Sequence, residues 1–273
     1  MGYGLLEIFS EFEFMRYALV ALVLLTPLLG LLGTMAVNHQ MAFFSDALGH
    51  SALTGIGLGI LLGLRNDLIS MLIFGIIWAL LICLIKQSRS ASTDTIISVF
   101  SSTSVAAGLL ILARGGQFAK KSALLIGDIT AVGSQDLLYL GLALAGTVIL
   151  WFFLYNALLL TSVDSFLARS RGIRTRLIEC VFVVMVAVAV MLSIKWVGIM
   201  LINALLILPA AAARNLARTS RQHAAFSVTI ALVSGLAGLI ASFYLDTSAG
   251  AAIVLVAALF YAASLLIRNV RKS

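Results

Sequence analysis

The chain has 273 residues, of which 62% are hydrophobic and only 11% are charged, and its mean hydropathy is +1.13. A soluble domain is about half apolar and about 25% charged, so this composition excludes an ordinary soluble protein. The net charge of +7 does not indicate a nucleic-acid-binding protein, because the basic residues occupy short segments between long apolar runs. In that arrangement Lys and Arg indicate which side of a membrane a loop faces.

Nine apolar runs are each close to the length of about 20 residues that crosses a bilayer. They predict an all-α, polytopic membrane protein in which residues 1–273 form a single transmembrane domain. Only short loops remain between the spans, which leaves no room for a soluble catalytic domain. The predicted spans are 17–36, 41–62, 67–86, 94–113, 137–160, 177–195, 197–213, 225–244 and 249–267.

The basic segments predict the orientation of the chain in the membrane. Arginines cluster within 169–176 and 214–221, and Arg and Lys recur in the tail at 268–272. Because positive residues mark the cytoplasmic side, the C-terminus is expected inside and, nine crossings earlier, the N-terminus outside. Basic residues within 114–121 fall outside in this arrangement. A count of eight spans would reverse the N-terminal side, and both counts stay open at this point.

An ionisable pair lies inside the second predicted span, in the run MAFFSDALGHSALTGIGLGILLG. Asp46 and His50 are at i and i+4, so a helix presents both on one face, with Thr54 one turn further along. Ionisable groups at membrane depth are costly and usually face a cavity, a partner or a pathway. A carboxylate and an imidazole together can bind a first-row transition metal, although two ligands do not complete a tetrahedral site. A structural ion pair and a proton relay are the alternatives.

The other polar and sulfur-containing positions in the spans carry weaker signals. Asn203 is typical of hydrogen bonding between membrane helices. Asp246, in FYLDTSAGA, either caps a helix at the interface or guards an entrance. Cys83 and Cys180 are predicted to be small buried hydrophobic residues rather than disulfide partners or metal ligands.

Three further patterns predict local structure. Gly55, Gly59 and Gly63 recur every fourth residue, which lets another helix approach the second span closely. The segment 114–136 is too polar to span, and its centre, SALLIGDITAV, is expected to form a short interfacial helix. The segment 161–176, TSVDSFLARSRGIRTR, is amphipathic and either anchors the chain at the surface or docks a cytoplasmic partner.

The sequence lacks the motifs of several enzyme classes. No GxxxxGK[ST] motif occurs, so the chain is not expected to hold ATP phosphates by itself, and the absence of HExxH removes the metalloprotease interpretation. A Gly-x-Ser occurs at Gly49–Ser51, and a membrane serine protease would use one. Such a protease would also need a second histidine at the depth of the serine, and His39 and His223 lie near the predicted inner surface instead. The chain is therefore predicted not to be an enzyme.

Several stretches of the chain, in the same order, resemble the metal-type ABC permeases, the family that imports zinc, manganese or iron(II) with a separate ATPase. The resemblance runs from about residue 15 to the end and includes similarity to the zinc-uptake permease. The stretches that carry it are MAFFSDALGHSALTGIGLG, DTIISVF, LLIGDITAV, VGIMLINALLILPAAAARNLA and FYLDTSAGAAIVL.

The resemblance implies a permease of the type II ABC importer kind in the inner membrane of a prokaryote. It implies a homodimer whose subunits line one pathway, two copies of a cytoplasmic ABC ATPase and an extracytoplasmic metal-binding protein. No permanently bound cofactor is implied, because Zn(II) or Mn(II) would be the cargo. An ATP-independent secondary transporter or channel is the main alternative, and a structural scaffold is a third.

The resemblance also assigns roles to individual residues. Asp46 and His50 match the polar pair of the second span that faces the pathway, and Asp246 matches an acidic position near the external mouth. All three are expected to be transient metal ligands. The cytoplasmic loop that docks on the ATPase is matched by Asp164, Phe166, Leu167, Ala168, Arg169, Arg171 and Gly172.

Two positions depart from the family pattern. Ser248 stands where the family usually has Pro, which loosens the turn beside Asp246. Ser102 stands where zinc-type members can carry His, which removes a potential nitrogen ligand. Because imidazole suits zinc and carboxylate suits manganese, one of each near the pathway does not decide the metal.

Overall fold

The computed structural model describes residues 13–64, 66–88, 91–116, 127, 129 and 132–272. In this part of the chain all regular secondary structure is helical, which confirms the predicted all-α class. Most of the segment 114–136, with its expected interfacial helix, lies outside the described residues. The helices are α1 Glu13–Asn38, α2 Phe44–Leu61, α3 Asp67–Gln87, α4 Thr93–Arg114, α5 Ser134–Val163, α6 Ser165–Ser170, α7 Thr175–Leu216, α8 Ser220–Leu245 and α9 Ala249–Lys272.

Within the described ranges, eight helical segments are long and apolar enough to cross a membrane. Helix α7 supplies two of them, Thr175–Ile194 and Val197–Leu216, whereas α6 is too short and α2 is not among the eight. Helix α2 corresponds to the second predicted span, so all nine predicted spans coincide with helical segments. The prediction of a polytopic membrane protein is thereby confirmed.

Helix α7 is interrupted at Gly198, which separates its two membrane-spanning segments. Gly198 has φ 74° and ψ 163°, a backbone conformation that residues with a side chain rarely adopt. The backbone of Gly127 packs directly on this break, because a Cβ atom at residue 127 would lie 2.1 Å from the Gly198 amide nitrogen. The break therefore matches the boundary that the hydropathy pattern predicts between residues 195 and 197.

Helix α2 lies in the interior of the bundle, packed against α3, α4 and α7. Two of the three predicted glycine contacts are present. A Cβ at Gly55 would lie 3.1 Å from Phe74 Cβ, and one at Gly59 would lie 2.5 Å from Ser70 Cβ, so both permit close approach of α3. The prediction for Gly63 is wrong, because that residue follows the helix at φ 73° with nothing within 4 Å.

Helix α5 lies at the periphery and packs on α1, α6 and α7. Its side chains face outward to a large extent, as shown by Phe152 and Phe153, which are 82% and 74% exposed. Exposed aromatic and aliphatic side chains on a membrane-spanning helix contact lipid. Because lipid tails are as apolar as these side chains, their exposure carries no free-energy penalty. Helices α2 and α5 thus define an inner and an outer layer of the bundle.

Candidate functional site

Asp46 and His50 lie together in the first two turns of α2, as their spacing predicts. His50 Nε2 is 3.6 Å from Asp46 Oδ1, and the two side chains are 36% and 43% exposed. An ion pair with this much exposure contributes little to stability, because solvent screens the charges. The geometry therefore favours a pair that is open to an incoming group over one that only locks helices.

Asn203 completes this polar cluster, which we call the α2 cluster: Asp46, His50 and Asn203. From the second spanning segment of α7, Asn203 Nδ2 donates a 2.7 Å hydrogen bond to Asp46 Oδ1. Asn203 Oδ1 is buried and has no hydrogen-bond partner among the described residues. The sequence predicts that Asn203 bonds to another helix, but it does not predict Asp46 as the partner, because the two residues are 157 positions apart.

Thr54 does not extend the α2 cluster, contrary to the expectation from its spacing. Its side chain is buried, and its hydroxyl donates to the main-chain carbonyl of Ser104 on α4. The Thr54 and Ser104 hydroxyl oxygens are 3.2 Å apart. Thr54 therefore joins α2 to α4, one turn beyond the exposed pair.

Asp246 lies at the end of α8 in the left-handed conformation, with φ 51°. It is exposed and lines a cavity of about 510 Å³, together with Ser242, Thr247 and Ser248. Among the described residues no group of three or more His, Cys, Asp or Glu side chains is close enough to hold a metal ion. The structure therefore does not join Asp246 to Asp46 and His50 in one site.

The predicted docking segment contains the short helix α6. Asp164 caps this helix, since its Oδ1 accepts hydrogen bonds from the amides of Phe166 at 2.8 Å and Leu167 at 3.1 Å. Ala168 is fully buried, whereas the Phe166 side chain is 81% exposed. The cap and the buried alanine hold α6 so that Phe166 projects away from the bundle.

The end of α6 is fastened to the start of α7. Arg169 Nε donates a 3.2 Å hydrogen bond to Thr175 Oγ1. Gly172 has φ 78°, which allows the chain to turn so that the Ile173 amide donates to the Ala168 carbonyl at 3.1 Å. Arg171 is exposed beside this turn. A force applied to α6 would therefore be transmitted to α7.

Two histidines outside the α2 cluster are buried and bonded to the backbone. His39, in the turn between α1 and α2, donates from Nε2 to the Leu158 carbonyl at 3.2 Å and stacks on Phe182 with ring centroids 5.5 Å apart. Burial, reinforced by the positive charge of Lys86, lowers the pKa of His39 to about 4. His223 Nε2 lies 2.9 Å from the Ala210 carbonyl. Both residues therefore have structural roles.

The two cysteines lie next to each other. Cys83 Sγ and Cys180 Sγ are 3.0 Å apart, although the residues are on α3 and α7. Both thiols are free, Cys83 being buried and Cys180 partly exposed. The sequence predicted buried hydrophobic residues, which fits Cys83, but the contact between the two sulfurs was not foreseen.

Comparison with known proteins places the chain in a family. The model of the ABC 3 transport family matches residues 11–268. The chain is 31% identical over 260 residues to the high-affinity zinc uptake system membrane protein ZnuB of Haemophilus influenzae, covering 94% of this chain and 99% of ZnuB. It is 30% identical over 259 residues to the manganese import system permease protein ScaB of Streptococcus parasanguinis, covering 94% and 92%.

A solved structure has the same fold. PsaBC from Streptococcus pneumoniae, in complex with a Fab, aligns with a TM-score of 0.82 at 28% identity and covers 95% of this chain and 93% of that chain. This likeness and the family match confirm the predicted ABC permease fold of a prokaryotic inner-membrane protein. The chain belongs to the ABC 3 transport family and is a transport subunit rather than an enzyme.

Proposed function

We propose that the chain is the membrane-spanning subunit of an ATP-driven importer of divalent transition metal ions, zinc or manganese. The observation that carries this proposal is the α2 cluster, a partly exposed carboxylate and imidazole on an interior helix. Two relatives of the chain are named as a zinc uptake membrane protein and a manganese import permease, which supports the same class of cargo. Carboxylate oxygen and imidazole nitrogen are ligands that both metals accept.

The number of ligands supports a dimeric pathway. One chain contributes Asp46 and His50, which are too few for a zinc ion alone. Two copies of the chain related by a two-fold axis would supply four ligands, and manganese would add water molecules. Partial exposure of both side chains suits a transient site, because a transported ion has to leave as readily as it enters.

Asp246 is proposed to attract the cation at the mouth of the permease. Its exposed carboxylate lines a cavity of about 510 Å³ that also presents hydroxyl groups from Ser242, Thr247 and Ser248. A metal released by an external binding protein would meet this carboxylate before it reaches the α2 cluster. The absence of Pro at Ser248 does not prevent this, since Asp246 still ends α8 with its side chain in solvent.

Helix α6 is proposed to dock the cytoplasmic ATPase. Phe166 is 81% exposed, too much for a residue with a structural role of its own, and four arginines follow it in the sequence, at 169, 171, 174 and 176. The positive charge of this loop and of the C-terminal tail supports a cytoplasmic location for both segments. Closure of the ATPase would move α6 and, through the Arg169–Thr175 contact, the start of α7.

Metal uptake by the assembled transporter tests the proposal. The chain would be co-expressed with its ATPase and its binding protein in cells that lack metal uptake, and labelled zinc and manganese would be measured. We expect ATP-dependent uptake of one metal that is lost in His50→Ala at normal membrane abundance. Thr229→Ala is the matched control, because it removes a polar side chain whose hydrogen bond is local to α8.

Two outcomes would contradict the proposal. Uptake by the chain without the ATPase, driven by a metal or proton gradient, would identify an ATP-independent transporter or channel. Uptake that survives His50→Ala would remove the imidazole from the pathway and direct attention to Asp246.

A further inference from the structure

The only two cysteines of the chain form a contact that neither the family nor the proposed transport function explains. Cys83 lies near the end of α3, and Cys180 lies in the second turn of α7, 97 residues later. Their sulfur atoms are 3.0 Å apart. A disulfide bond needs about 2.05 Å, so a movement of about 1 Å by the two side chains would bring the sulfurs to bonding distance.

We propose that Cys83 and Cys180 are a modification site, a dithiol that a peroxide oxidises to a reversible intramolecular disulfide. The bond would tie the end of α3 to the start of α7. This assignment concerns the chain itself and holds whether or not the transported ion is a metal.

The surroundings of the two sulfurs favour a dithiol over a metal site. Gln87 Nε2 donates to Cys83 Sγ at 3.3 Å and lies 3.7 Å from Cys180 Sγ. An amide N–H directed at the two sulfurs presents no lone pair to a metal ion, so it opposes a cation at this position. No third His, Cys, Asp or Glu ligand joins the pair among the described residues, whereas a structural zinc site needs four ligands.

The two thiols differ in their access to an oxidant. Cys83 is 1% exposed, whereas Cys180 is partly exposed and lines an apolar groove of about 440 Å³ between α3, α5 and α7. A small uncharged peroxide can enter such a groove. Cys180 is therefore the thiol that meets the oxidant first, and Cys83 is the thiol that resolves the product.

The reaction balances with one peroxide. The Cys180 sulfur attacks hydrogen peroxide and loses its thiol proton, the O–O bond breaks, and Cys180 becomes a sulfenic acid. The hydroxide that leaves takes up the thiol proton and departs as the first water. The Cys83 thiol then attacks the Cys180 sulfur, the S–O bond breaks, and a second water leaves as the disulfide forms. Two thiols are thus oxidised by two electrons and one peroxide is reduced to two waters. A thiol reductant reverses the change by exchange.

The position of the pair gives the bond a structural consequence. Cys180 follows Thr175, the residue that Arg169 of α6 contacts, by little more than one turn of α7. Helix α3 packs on α2, which carries the α2 cluster. A disulfide would therefore restrain α7, next to the α6 segment, against the helix that supports the α2 cluster.

Peptide mapping of the purified full-length chain tests the proposal. The protein would be treated with hydrogen peroxide, the remaining thiols would be blocked with N-ethylmaleimide, and the digest would be analysed by mass spectrometry with and without dithiothreitol. We expect a peptide pair linked through Cys83 and Cys180 in monomeric protein, and full alkylation of both residues after reduction. We also expect the melting temperature to rise on oxidation and to return on reduction.

The matched control moves one thiol by a single helical turn. In Cys180→Ser combined with Val184→Cys, the new thiol lines the same groove but lies about 5–6 Å further along α7. We expect no linked peptide in this variant. The proposal is overturned if the wild-type thiols stay fully alkylated or oxidise separately, if the control links as readily as the wild type, or if the linked protein does not melt at a higher temperature.

Discussion

Helices α2 and α5 show two opposite ways in which a helix can be stable inside a membrane protein. Helix α5 is long and apolar, and only four of its 30 residues are buried by protein. Helix α2 is short and contains Ser, Asp, His, Thr and several Gly, yet most of its residues are buried. Hydropathy measures fitness for lipid, so its signal is strong in α5 and weak in α2, which is not among the eight helical segments apolar enough to cross a membrane.

Polar groups have different partners in the two helices. In α2 two of them bond to other helices, Asp46 to Asn203 and Thr54 to Ser104, whereas the Ser51 hydroxyl donates to the Leu48 carbonyl within α2. In α5 the partly exposed Ser162 hydroxyl donates to the carbonyl of Leu159 in its own helix, at 2.8 Å. A polar group in lipid has to be satisfied locally, whereas one inside a bundle can be satisfied across it. Interior position is thus what frees α2 to carry chemistry.

The largest effect is expected when the charge of the α2 cluster is removed. Asp46→Asn keeps the size of the side chain and can still bond to Asn203, but it lacks the anionic oxygen that a divalent cation requires. We expect metal uptake to fall to background while the membrane abundance and the melting temperature stay near those of the wild type. Labelled-ion uptake and thermal unfolding in detergent measure the two quantities.

A fall in folded yield with Asp46→Asn would instead identify the pair as a structural lock. Thr161→Ala on α5 is the control, because it deletes a polar group whose hydrogen bonds are confined to its own helix. We expect that variant to transport at the wild-type rate.

The second largest effect is a loss of stability in acid that depends on His39, the residue that joins the turn before α2 to α5. Since burial and Lys86 lower the pKa of His39 from 6.5 to about 4, the folded protein keeps this imidazole neutral where the unfolded chain protonates it. The free energy of unfolding is therefore highest above pH 6.5, where His39 is neutral in both states. It decreases as the pH falls toward 4, because only the unfolded chain binds the proton in this range. The loss reaches about 3 kcal/mol, because each tenfold change in proton affinity corresponds to about 1.4 kcal/mol.

Comparison with His39→Gln isolates this effect. Glutamine can still donate to the Leu158 carbonyl, but it does not titrate. We expect the melting temperature of the wild type to fall between pH 6.5 and 4 more steeply than that of the variant. Equal slopes would mean that His39 is already protonated in the folded protein.

Local signals made the spans and the α2 pair predictable from the sequence. Hydropathy and helical spacing act over about 20 residues, so they define α3 to α5 and bring Asp46 and His50 to one face. Even the break at Gly198 falls where the apolar pattern changes. Helical spacing does not predict the partner of Thr54, because its hydroxyl bonds to Ser104 on the neighbouring helix α4.

Contacts across the bundle were not predictable in the same way. Asn203 is 157 residues from Asp46, and Cys180 is 97 residues from Cys83. Their meeting depends on how the helices pack and at what depth, and one sequence contains no measure of either. The structural role of His39 depends on distant residues in the same way, since its partners Leu158 and Phe182 lie on α5 and α7.

A smaller effect is expected from single methyl groups added to the two helices. In Gly59→Ala on α2, the new Cβ would lie 2.5 Å from Ser70 Cβ, so α2 and α3 have to separate. We expect a loss of about 1–3 kcal/mol in the free energy of unfolding, the usual cost of overpacking. Thermal or denaturant unfolding in detergent measures it.

Gly141→Ala on α5 is the counterpart, because nothing lies within 4 Å of its added Cβ. Alanine favours the helix over glycine by about 0.5–1 kcal/mol, so this variant should be as stable as the wild type or slightly more stable. If both substitutions had the same effect, the distinction between an inner and an outer layer would be wrong at these positions.

The smallest effect concerns Asn203, which positions Asp46 without carrying charge. Asn203→Leu removes the donor of the 2.7 Å bond to Asp46 Oδ1 and leaves the carboxylate in place. Because a hydrogen bond to a charged, partly exposed group contributes about 1.5 kcal/mol, we expect uptake at low metal concentration to fall about tenfold. The loss should appear in the metal concentration for half-maximal uptake, since a wrongly oriented carboxylate weakens binding. A fall in the maximal rate alone would mean instead that Asn203 acts through the packing of α7 on α2.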